Sequence, residues 1–181
     1  MDDRETLELL RDMVRAPSHP GIARQEEGTV RALEAYLRRH AVPVELVEVR
    51  EGRPNLVATL EGKAPGPRLV LCGHTDTVPP NAGAEADFFS ARVADGRMFG
   101  RGTVDMKGAL AAMAAALADI RDAGGLPSGR VTLAAVVDEE MESLGAEALI
   151  RSGLRADGAV IGEPTGNRVA LGHKGLEWLE V

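Results

Sequence analysis

The chain has 181 residues, 44% of them hydrophobic and 27% charged, which is enough for one domain with a buried core. A formal net charge of -7, with no cluster of Lys or Arg, argues against a nucleic-acid-binding surface. No apolar run approaches the roughly 18 residues that span a bilayer, residues 1–20 lack the order of a secretory leader, and a single cysteine, Cys72, rules out an intrachain disulfide, so no membrane partner and a cytoplasmic location are expected.

Residues 3–15 space Leu7, Leu10 and Val14 at helical intervals, and the breaker Ala16-Pro17-Ser18-His19-Pro20-Gly21 leaves His19 in a loop. Residues 25–40 predict a second amphipathic helix through Val30, Leu33, Tyr36 and Leu37, with Arg38, Arg39 and His40 at its negative end. Residues 44–49 alternate as a half-exposed strand and 55–60 read as its partner. Residues 69–73 form a continuous apolar run, the pattern of a buried parallel strand, which stops at His74 and Asp76. On an extended backbone two residues that far apart address the same side, so the aspartate is placed to orient the imidazole.

A long loop over 79–102 follows, pinned by Phe88, Phe89 and Phe99. It ends at an Ala-rich helix running to about Asp122, with Met113 in the core and Asp105 at or just before the helix start, flanked by Arg101 and Lys107, which either neutralise charge there or, the preferred reading, solvate the loop. Residues 131–137 are a second apolar run, followed by Asp138, Glu139, Glu140 and a helix through Ile150; residues 159–161 are a third, followed by Glu163. Segments 168–172 and 176–181 alternate as final strands, with Trp178 as packing and His173 not expected to be a ligand. The predicted architecture is α/β, with a mostly parallel central sheet, helices on both faces and antiparallel neighbours at 44–60 and 168–181.

Singly, a strand-end Asp or Glu is most often a helix cap or a turn residue. Together, His74, Asp76, Asp105, Glu139, Glu140 and Glu163 fall on one edge of the inferred sheet, where uncompensated carboxylates would repel one another. Divalent cations would relieve that repulsion. A shell of His and carboxylate without thiolate suits zinc, cobalt or manganese, permits two ions, and leaves one carboxylate over as a base.

Gly73-His74-Thr75-Asp76-Thr77-Val78-Pro79, Gly100-Arg101-Gly102-Thr103-Val104-Asp105-Met106-Lys107-Gly108, Asp138-Glu139-Glu140 with Leu144-Gly145-Ala146, and Gly162-Glu163-Pro164-Thr165 resemble four successive motifs of the co-catalytic di-zinc amidohydrolases. That family includes acetylornithine deacetylase, succinyl-diaminopimelate desuccinylase, aminoacylase-1 and carboxypeptidase G. The resemblance implies a zinc-dependent exopeptidase-like fold and hydrolysis of an amide bond in an N-acyl amino acid or small peptide. It further implies that His74 and Glu163 hold one Zn2+, that Glu140 holds a second, and that Asp105 bridges both. Glu139 becomes the general base, moving a proton from the attacking water to the leaving amine, and Asp76 orients His74.

Family members are longer, with a lid or dimerisation domain inserted after the matched stretch. The resemblance therefore implies that residues 1–181 are a truncated N-terminal portion of the metal-binding catalytic domain, and that a homodimer would form through the inserted domain. The family's remaining zinc-ligand histidine and its substrate-carboxylate clasp belong to the later portion, so the second ion is expected to bind more weakly here. The competing expectation is a truncated, non-catalytic domain that binds metal weakly or acts as an association module.

Overall fold

The computed structural model describes residues 3–81 and 85–172. Helices α1 (Asp3–Arg15) and α2 (Glu27–Arg39) form where the apolar periodicity predicts them. In α2 the expected Val30, Leu33, Tyr36 and Leu37 are all buried. In α1 the expected Val14 is buried and Leu10 packs partly buried against the core, but Leu7 is exposed, and Leu9 and Met13 complete the buried stripe. Both sets have helical spacing, and contact with α2 and α4 (Lys107–Asp122) decides which of them faces inward.

The main sheet contains β1 (Val44–Arg50), β2 (Arg53–Glu61), β3 (Arg68–His74), β6 (Arg130–Val136) and β7 (Gly158–Ile161) in the order β1-β2-β6-β3-β7. The β1/β2 and β2/β6 pairs are antiparallel, whereas β6, β3 and β7 run parallel. Strand β6 lies at the centre and is buried almost throughout, which is why it reads as an unbroken apolar run. Leu56, Ala58 and Leu60 of β2 and Val131, Leu133 and Ala135 of β6 join side chains of α1, α2 and α4 in one core. Ala111, Ala114, Ala115 and Ala118 put little bulk between α4 and the sheet, so helix and strands approach closely.

Asn55 alternates with Leu56 onto the opposite face of β2, and there its amide donates to the Gly145 carbonyl of α5 (Leu144–Arg151) at 2.8 Å. Helices thus lie on both faces, three on one side and α5 on the other. At the β7 edge exposure reaches both faces: Leu69 and Val160 lie on the core side of the sheet and Ile161 on the other, and all three remain exposed.

Three expectations change. The 159–161 run forms β7 but is an exposed edge strand rather than a buried one, because an apolar run cannot by itself tell a covered strand from an edge. Residues 168–172 form no strand, and Val169 and Leu171 are 90% and 99% exposed, so the alternating pattern there does not correspond to a half-buried strand. The loop over 79–102 carries short elements of its own, α3 (Glu85–Phe88) and the hairpin β4 (Arg92–Ala94) with β5 (Arg97–Phe99). Its aromatics serve as anchors: Phe89 stacks on His19 at 5.8 Å, and Arg101 and Arg92 lie over Phe88 and Phe99. The strand expected over 176–181, together with His173 and Trp178, lies outside the described residues.

Candidate metal centre

In a parallel sheet, groups that follow the strands' carboxyl ends meet at one edge. His74 ends β3, opposite Val136 at the end of β6, so Glu139 and Glu140 emerge beside it. On the other flank the Gly162 amide donates to the Cys72 carbonyl and sets Glu163 next in line. Asp105 comes from the turn immediately before α4, joined to Met106 by a cis peptide bond. Four segments remote in sequence therefore deliver to one point.

The His74 ring is buried, and its Nε2 lies 3.0 Å from Asp105 Oδ1, 3.7 Å from Glu163 Oε1 and 3.8 Å from Glu139 Oε2. Two sets of ligand atoms each lie within 4.8 Å of one another: His74 with Glu139 and Glu163, and His74 with Asp105 and Glu140. The Asp105, Glu139 and Glu163 side chains are 38–50% exposed, so the imidazole forms a floor and the carboxylates an accessible rim.

Burial, and then the Asp105 charge, raise the Glu140 carboxyl above its ordinary value. Burial likewise raises Glu163, opposed by His74 and reinforced by Asp105 and Glu139. Both shifts record like charges crowded in a poorly solvated place, which a cation or a proton relieves. The residues present thus fit a divalent cation by donor type and by convergence.

Asp76 sits behind this set. Its main-chain carbonyl is 3.0 Å and its carboxylate Oδ1 3.5 Å from His74 Nδ1, on the side of the ring away from the carboxylates. The same carboxylate accepts the backbone amides of Glu139 (3.1 Å) and Glu140 (2.9 Å). Burial works to raise its pKa, but the His74 hydrogen bond and the two amides prevail and lower it. Asp76 therefore connects the imidazole to the main chain of both glutamates, a link that a His-x-Asp pattern does not reveal.

Lys107 is a correction. Expected to solvate the loop, it is fully buried, and its Nζ donates to the carbonyls of Met13 (2.8 Å) and Ala16 (2.9 Å), tying the start of α4 to the end of α1. Burial lowers its pKa from 10.5 to about 7, against the pull of Asp76. Gly102, at φ +86°, closes over it: a Cβ there would lie 2.9 Å from Lys107 Cδ and 3.0 Å from Thr77 Cγ2. Asn55 is a second residue that pattern reading misses. It accepts from the Val137 amide at 3.0 Å while donating to Gly145, bracketing the glutamate loop. The available signal is an Asn inside an otherwise apolar strand.

The model of peptidase family M20/M25/M40 matches residues 70–174. A probable succinyl-diaminopimelate desuccinylase of Staphylococcus epidermidis is 34% identical over 181 residues, covering 97% of this chain and 43% of the relative. A succinyl-diaminopimelate desuccinylase of Gluconacetobacter diazotrophicus is 36% identical, covering 93% of this chain and 46% of the relative. Among solved structures, an M20 family metallo-carboxypeptidase from Sulfolobus solfataricus superposes with a TM-score of 0.72 at 24% identity, covering 90% of this chain and 37% of that one. The chain thus spans less than half the length of these relatives.

Proposed function

The chain belongs to peptidase family M20/M25/M40, and on that premise we propose that it forms the metal-binding part of a hydrolase that cleaves the amide bond of an N-acyl amino acid or small peptide. The observation that carries this reading is the convergence of His74, Asp105, Glu139, Glu140 and Glu163 at the carboxyl ends of β3, β6 and β7.

His74, Asp105 and Glu163 would hold one ion, and Asp105 with Glu140 a second; zinc is the proposed metal, and cobalt or manganese suits the same donors. When bound, the ions supply positive charge that polarises the scissile carbonyl and acidifies the attacking water. Glu139 is left as the base. Its carboxylate is accessible, and its main-chain amide is held by Asp76, so it takes the proton of water and returns it to the amine nitrogen as the C–N bond breaks. Asp76 keeps the His74 ring and the Glu139-Glu140 backbone in register while remaining outside the coordinating set.

A cytoplasmic location, a small-molecule or peptide substrate rather than nucleic acid, and assembly as a homodimer complete the proposal. No helix among the described residues is long and apolar enough to cross a membrane. The test pairs zinc bound per chain with amine released from N-succinyl and N-acetyl amino acids and dipeptides. The reading predicts bound zinc and turnover, with Glu139→Gln keeping the zinc and losing about 10²–10⁴-fold in rate. A Glu139→Gln chain that hydrolyses substrate at the parental rate overturns the assignment. One ion or none, without turnover, favours the non-catalytic association module instead.

A further inference from the structure

One buried ionic cluster lies outside the ligand set. The Glu26 carboxylate is fully buried at the first turn of α2, where the helix's amide end favours negative charge. Arg53, the first residue of β2, grips it with both arms of its guanidinium, Nε to Oε2 at 2.7 Å and Nη2 to Oε1 at 2.6 Å. The same Nη2 reaches Asp138 Oδ1 at 2.8 Å. Three ionised groups in so dry a place are costly, and a stability role alone is weak grounds for them, since well-packed apolar residues usually serve as well.

What the cluster holds is the backbone of the glutamate loop. Glu26 Oε1 accepts the Asp138 amide (3.2 Å), and Asp138 Oδ2 accepts the Glu142 amide (3.3 Å). Asp138 itself stands in the left-handed region at φ +66°, a conformation that Asp tolerates better than most residues but does not prefer. The next two amides, of Glu139 and Glu140, belong to Asp76. The loop is therefore gripped from two sides, by Asp76 from the metal side and by Glu26 and Arg53 from behind. Arg53 and Asn55 stand on the same face of β2, so one strand face secures both ends of the loop.

We propose that Arg53, together with Glu26, is a positioning residue for the metal centre: by locking Asp138 in its left-handed turn, it fixes where the Glu139 base and the Glu140 ligand project. This deepens the proposed function and rests on its assignment of Glu139 and Glu140. Arg53 touches none of the candidate ligands and acts only through Asp138 and the main chain.

The test compares the chain with Glu26→Gln/Arg53→Met, which removes the Glu26–Arg53 pair together and leaves Asp138 without its cation, and with Arg53→Lys, which keeps the charge but not the fork. Two readouts are taken: backbone amide exchange in metal-free protein and Co2+ titration followed by visible absorption. The expected result is exchange at least tenfold faster for residues 138–142 with β6 still protected. In parallel, Co2+ affinity at the weaker, Glu140-dependent site drops at least tenfold while the stronger site is retained, with the Lys variant intermediate. Exchange that rises equally in β6 and the loop, or an unchanged loop, overturns the proposal. Unaltered Co2+ binding in the double variant overturns it as well. If the parental chain binds no Co2+, the metal reading itself fails, and the exchange pattern still decides whether Arg53 holds the loop.

Discussion

Burial by itself would lower the pKa of the His74 imidazole, yet the hydrogen bond to Asp76 and the charges of Asp76, Glu139 and Glu163 outweigh it and raise the value from 6.5 to about 9. Between those values the folded chain holds a proton that the unfolded chain does not, so this group's contribution to stability is full below about 6.5 and is lost as pH rises through about 9. Lys107 acts with the opposite sign, because its folded pKa of about 7 lies below the ordinary 10.5 and its contribution grows with pH over that interval. The two overlap, so metal binding is a cleaner readout than unfolding. A metal ligand must be deprotonated. Zinc affinity of the chain, measured by competition with a chromophoric chelator, is expected to rise about tenfold per pH unit from neutrality and to level off near 9; an affinity flat over that interval contradicts the protonated imidazole. At this scale His74, Asp105, Glu139, Glu140 and Glu163 are legible in the sequence, since each ends an apolar run or opens a helix. Lys107, Arg53 and Glu26 are not, because a lone charged residue looks the same whether it meets water or a buried partner.

Among the elements, the loop between β6 and α5 concentrates the most constraint. Gly145 shows it plainly, because an added Cβ would lie 2.4 Å from the Val137 carbonyl oxygen and 2.5 Å from its nitrogen, and a backbone cannot swing aside like a side chain. Gly145→Ala is expected to cost about 3 kcal/mol in urea unfolding, and a change below about 0.5 kcal/mol would show that the loop yields. Helices α1, α2, α4 and α5, the β1/β2 hairpin and the three apolar strands are readable from the sequence, whereas α3 and the β4/β5 hairpin fall inside the stretch expected to be a loop. The face of α1 that turns inward, the exposure of β7 and the irregular 168–172 segment are not, because tertiary contact decides each of them.

At the scale of the whole molecule the sheet is asymmetric. One face carries α1, α2 and α4 over a continuous core, whereas the other carries α5 against β1, β2 and β6, and the edge strand β7 is exposed along its length. Leu133, fully buried on the central strand, should cost about 2–5 kcal/mol on truncation to Ala. Ile161, 56% exposed on the edge strand, should tolerate Lys with little loss and, as charges on sheet edges do, reduce concentration-dependent self-association in sedimentation. A destabilisation by Ile161→Lys equal to that of Leu133→Ala would contradict this distribution of the core.

The central claim is that residues from four separate segments form one divalent-metal centre in which Asp105 is shared. Zinc binding by isothermal titration, parental chain against Asp105→Asn, addresses it most directly. The account predicts binding to the parental chain of up to two ions per chain and a loss of about 100-fold or more in affinity on replacing Asp105. Equal binding by both chains, or none by the parental chain, would contradict it.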